Sequence, residues 1–165
     1  MSHLTTGVRE SVTTGVTARA RAIGWGLAAL LVAIAIDVYG AYGDPHPKSS
    51  QENAVPVVGV AVAAVTVVLF GVLVPMGLRG MAVRSRRWSG SALALGIIGV
   101  VLVPIASWSG LPVVIGTAAA LLGIGGRGVA SAGGRALATW SVALGALAAF
   151  GSVVFAILGN TLLAG

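Results

Sequence analysis

Long apolar stretches of this chain alternate with compact polar or basic segments. Residues 22–43 are apolar except for one charge, Asp37, and residues 53–78 carry no charge. A third uncharged stretch runs from Trp88 to Gly126, and a fourth from Ala136 to the C-terminus. A helix needs about 20 apolar residues to cross a hydrocarbon core roughly 30 Å thick. At about 1.5 Å per residue, 88–126 as one helix would be roughly 58 Å long. That is about twice the core, so the stretch is predicted to fold back.

The break reads in "SWSGLP", residues 107–112. Gly110 permits a turn, and Pro112 cannot continue the preceding helix but suits the start of the next. Ser107 and Ser109 can cap. The pattern therefore predicts an all-α, polytopic transmembrane bundle of five spans, at about 22–43, 54–78, 89–107, 111–126 and 136–162. The fourth is short enough to be read either as a full crossing or as partly re-entrant. Pro75 and Pro104 fall near predicted helix ends and Pro56 near a start, where a missing N–H costs little. Ahead of the bundle, residues 1–21 form a basic leader with "TTGV" repeated eight residues apart. It is too poor in large apolar residues for a firm interfacial helix, and disorder fits equally well. A signal peptide ending near "AYG" at 41–43 is the weaker reading, because its cleavage site is imperfect.

Composition supports lipid as the main solvent. The 165-residue chain is 57% hydrophobic and 8% charged, with mean hydropathy +1.01, whereas a soluble domain carries roughly 25% charged residues. The net charge of +6 comes from clusters between the apolar runs, a pattern of topology signals that argues against a nucleic-acid partner. Five spans with the N-terminus in the cytoplasm and the C-terminus outside place Arg9, Arg19, Arg21, Arg79, Arg84, Arg86, Arg87, Arg127 and Arg135 all inside. Lys48, the one lysine, falls in the first outer loop with Asp44 and Glu52. Trp25, Trp88 and Trp140 fall at predicted inner boundaries, and Tyr39, Tyr42 and Trp108 at outer ones, as in an aromatic belt. With no cysteine, disulfides and thiolate metal sites are excluded.

Lipid gives apolar helices no reason to associate, so close packing of small residues must do so. Ser141, Gly145 and Ala149 recur every four residues in the fifth span. Gly59 with Ala63, and Gly116 with Ala120, repeat that spacing. These stripes are read as packing within one bundle, with a homo-oligomer seam as the alternative.

Chemistry is sparse. Asp37 is the one ionisable residue inside a predicted span, which makes it a candidate proton or cation site. Its distance from Gly43, roughly 9 Å along a helix, favours instead a carboxylate marking the outer boundary. In the outer loop, Asp44, His46 and Glu52 form a weak metal or pH site, outweighed by a solvated loop held extended by Pro45 and Pro47. Arg79, Arg84, Arg86 and Arg87 are expected to set topology and meet anionic lipid headgroups. "GIGGRG", residues 123–128, lacks the strand, Lys-Ser/Thr and acidic residue of a phosphate loop. Neither a catalytic set nor a cofactor or metal motif is found, so catalysis is not expected.

The Ala/Val/Gly/Arg-rich composition, the "SWSGLP" hairpin and the "RSRRW" cluster resemble the small uncharacterised multi-spanning membrane proteins of high-GC actinobacteria. The likeness is one of composition and topology, and it implies a cytoplasmic-membrane location and no activity. The expected function is a non-catalytic accessory, assembly or scaffold protein with a membrane protein or a second copy as partner. The alternatives are a small oligomeric transporter or channel-like protein using Asp37, or a sensor using the outer loop.

Overall fold

The computed structural model describes residues 3–42, 49–128 and 132–163, and these are helical apart from the short turns where the chain reverses. Helix α1 spans His3–Tyr42 and α2 spans Ser49–Thr66. A π-helical stretch, Val67–Leu73, leads into α3, Val74–Ala106. A 3-10 turn at Ser107–Ser109 precedes α4, Leu111–Arg127, and α5 spans Ala132–Leu163. The continuous helix from His3 includes most of the leader.

Among the described residues, four segments are long and apolar enough to cross a membrane: Arg19–Tyr42, Asn53–Met81, Arg86–Ser109 and Gly133–Gly159. The fourth predicted span is α4, whose 17 residues make about 25 Å at about 1.5 Å per residue. It is the most enclosed of the helices, with residues 112–116, Ala118, Ala119, Leu122, Gly123 and Gly126 all buried.

The basic segment between the second and third spans is tighter than a loop. Arg84 alone leaves helical geometry, at φ −134 and ψ 52, and it divides α3 into two limbs. Gly77, Leu78 and Met81 of the first limb meet Leu122, Gly125 and Gly126 of α4 in ascending order. Ser89 and Gly99 of the second limb meet Gly126 and Gly116, in descending order. The two limbs therefore run in opposite directions, with Arg84 at the elbow. Trp88 closes it by laying its indole over Gly77 and Gly80, where a β-carbon at Gly80 would collide with the ring. Trp88 is thus half-buried in the elbow, whereas Trp25, Trp108 and Trp140 are exposed as belt residues would be.

The second limb of α3, α4 and α5 form the centre. They approach one another through small residues: Gly96 meets Leu144 and Gly145, Gly99 meets Ala148 and Gly116, and Gly123 meets Ala138 and Ser141. Close approach of this kind replaces the solvent-driven burial that lipid does not supply. Of the expected stripes, Ser141, Gly145 and Gly116 are buried in this seam, and Ala149 and Ala120 lie beside it. The fifth-helix stripe continues through Ala148 and Ser152. A β-carbon on Gly59 would meet nothing.

The π-helix was not expected. Thr66 Oγ1 donates to the Val62 carbonyl (2.7 Å) just before it, and back-bonding of this kind perturbs the helical ladder. Pro75 follows it and has no N–H with which to continue the widened register. Between these points the Val74 N–H reaches back to the Leu69 carbonyl, and Phe70 turns inward against Gly26 of α1. Pro56 lies farther inside α2 than expected, because the helix begins at Ser49.

Candidate functional site

Helix α1 touches the bundle with a narrow face. Ala22, Gly26, Ala29 and Ala33 are buried at alternating spacings of four and three, the seam periodicity of packed helices. Extending that face places Ile36 and Asp37 next, then Gly40 and Ala41. Ile36, Asp37 and Ala41 are buried, whereas Val38, Tyr39 and Tyr42 are exposed. Asp37 is 6% exposed, so the residue belongs to the helix interface rather than to the lipid-facing side. The small-residue pattern from Ala22 onward is the sequence signal for this placement, which the distance of Asp37 from the helix end does not carry.

The structure brings Asp37 to the broken region between α3 and α4. One turn before Asp37, Ala33 lies against Gly110; a β-carbon on Gly110 would overlap the Ala33 backbone. One turn after it, Gly40 faces the Trp108 carbonyl, 3.9 Å from where its β-carbon would stand. Asp37 lies between these contacts on the same face of α1, the face that packs against the Ser107–Gly110 turn.

Local chemistry fixes the turn. Gly110 adopts φ +66, a conformation that disfavours side chains, and Pro112 occupies the first turn of α4. The Ser109 hydroxyl donates to the Ala106 carbonyl (2.7 Å) and accepts from the Leu111 N–H (3.3 Å). Ser107 presents its carbonyl to the Gly110 N–H (3.2 Å) and to the Ser152 hydroxyl of α5 (3.4 Å). These bonds satisfy groups that a helix end leaves open. Asp37 has no hydrogen-bond or ion-pair partner among the described residues.

The other sequence candidates lie apart from Asp37. Asp44 and His46 fall outside the described residues, and the side chain of Glu52 is not described. The contacts that fix the helix directions gather Arg79, Arg84, Arg86, Arg87, Arg127 and Arg135 at the opposite end of the bundle, all exposed. Arg19 and Arg21 at the start of the α1 span join them. That end also holds the one fully buried side-chain oxygen without a partner among the described residues, Ser89 Oγ, facing Gly126. By contrast, the Thr117 hydroxyl donates to the Val113 carbonyl (2.7 Å) and the Ser141 hydroxyl to the Ala119 carbonyl across the helix pair (2.7 Å). No group of three or more metal-ligating side chains forms among the described residues.

No protein-family model, curated protein or solved structure matches the chain. The molecule is a multi-pass helical membrane protein by its own geometry, in which four helices have the length and apolarity of spans.

Proposed function

We propose that this protein is a non-catalytic accessory, assembly or scaffold component of the cytoplasmic membrane, with its N-terminus inside and its C-terminus outside. The reading rests chiefly on an interior built for backbone contact. Gly116 and Gly145 pack main chain against main chain, and the Ser141 and Ser152 hydroxyls at the seam are committed to carbonyls. Recognition then belongs to the outer helix faces and the two ends. The arginine-bearing end supports the orientation, since basic loops favour the cytoplasm, and it suits anionic headgroups.

The test is extraction of tagged full-length chain from its native membrane into lipid nanodiscs, with quantitative cross-linking of neighbours. A single membrane protein, or a second copy, recovered in fixed stoichiometry supports the reading. Recovery of the chain alone, together with Asp37-dependent solute flux after reconstitution, would overturn it. That second reading, a small oligomeric transporter or channel-like protein, is favoured by one observation: the buried Asp37 lies on the face of α1 that packs against the turn between α3 and α4.

A further inference from the structure

Two features that are far apart in the sequence meet in space: a carboxylate at position 37 and a helix break at positions 107–110. We propose that Asp37 and the oxygen atoms of the Ser107–Gly110 turn form a binding site for one monovalent alkali cation.

Charge balance gives the first argument. An ionised carboxylate removed from water costs several kcal/mol unless an opposite charge accompanies it. Asp37 is 6% exposed and has no partner among the described residues. The nearest arginine along α1, Arg21, is 16 positions away, about 24 Å of helix. The other described arginines lie at the same far end of the bundle. One carboxylate calls for one positive charge.

The turn supplies the second argument. Interrupted membrane helices bind alkali cations with unwound carbonyls and the C-terminal ends of half-helices. Here the second limb of α3 ends at Ala106, where φ becomes −135, and its C-terminal dipole is negative. The Trp108 carbonyl approaches α1 at Gly40. Ser109 Oγ stands one residue farther on, buried. These are hard oxygen donors beside a single negative charge. Divalent cations demand six to eight oxygens for calcium, or octahedral geometry for magnesium, commonly with several carboxylates, so the charge and donor set favour a monovalent ion.

The experiment uses the full chain in nanodiscs of fixed lipid composition. Its melting temperature is measured in sodium, potassium and N-methylglucamine chlorides at equal pH and ionic strength. Binding to the folded state alone raises the apparent stability. The expected result is a saturable upward shift with sodium or potassium relative to the organic cation. The shift is lost in Asp37→Asn and retained in Lys48→Ala. A second readout needs no folded variant: labelling of wild-type Asp37 by a hydrophobic carbodiimide, followed by intact mass, slows in the effective alkali salt. Identical melting and labelling in all three salts would overturn the proposal. So would a shift that survives in folded Asp37→Asn, or one lost in folded Lys48→Ala, which would make the lysine ammonium the counter-charge.

Discussion

Gly116 and Gly145 oppose each other so closely that neither can carry a side chain. A β-carbon on Gly116 would stand 2.5 Å from the Gly145 carbonyl oxygen, and one on Gly145 would be crowded equally by the Gly116 carbonyl. The obstacle is backbone on both sides, which no change of rotamer can relieve. Gly116→Ala and Gly145→Ala should each lower stability by about 1–3 kcal/mol, the usual range for overpacking. Gly24→Ala, in a span but with nothing within 4 Å, should be neutral or stabilising by up to about 1 kcal/mol. Reversible unfolding in mixed micelles checks all three, and equal losses at Gly24 and Gly116 would contradict the packing argument.

Gly110 combines positive φ with contact against Ala33. Gly110→Ala should cost about 1–2 kcal/mol for the left-handed backbone alone, and more from the steric clash. The loss should also appear as weaker cross-linking between α1 and α4 in a cysteine pair placed on those helices. Unchanged unfolding and cross-linking would show that α1 does not depend on this contact.

Ser89 points the other way. Its hydroxyl is fully buried and unpartnered, and removing an unsatisfied buried polar group avoids a desolvation penalty of about 1–3 kcal/mol. Ser89→Ala is therefore expected to leave stability equal or raise it, whereas Ser141→Ala breaks the bond to Ala119 and should cost about 0.6 kcal/mol, the typical size for membrane hydrogen bonds. Paired unfolding curves compare the signs. A destabilised Ser89→Ala would reveal a partner for that hydroxyl.

Because the chain has no cysteine, single-cysteine variants report topology without background. Tyr42→Cys and Thr161→Cys should label with an impermeant maleimide on intact cells. Arg86→Cys and Gly128→Cys should label only after permeabilisation. Labelling of Gly128→Cys from outside would mean that α4 fails to return the chain to the arginine side.

Much of the architecture was legible because its causes are local. The Gly-Pro break at 110–112 and the arginine cluster at 79–87 interrupt the hydrophobic pattern, and the helices reverse at both places. The single-residue elbow at Arg84 was less legible, since Trp88 must fold onto Gly77 and Gly80, and neither glycine announces that contact. Phe70 of the π-helix packs against Gly26 in another helix, a long-range contact that local sequence does not display. Asp37 was legible as an exception within its span, but its direction was not. A position near a helix end does not reveal which side faces neighbours, and the run of small residues at 22, 26, 29 and 33 carries that information only when read as one face.

The enclosure of α4 also has a consequence for synthesis. As the chain emerges from N- to C-terminus, α4 follows the two limbs of α3, but its glycine face at Gly116 and Gly123 has no cover until α5 arrives. Until then, that face must rest against lipid or the insertion machinery, with its backbone open to foreign helices. Helix α5 is the one that shuts this seam, so quality control has a natural checkpoint at its arrival: a chain stalled before Ala138 would display the glycines that α5 hides.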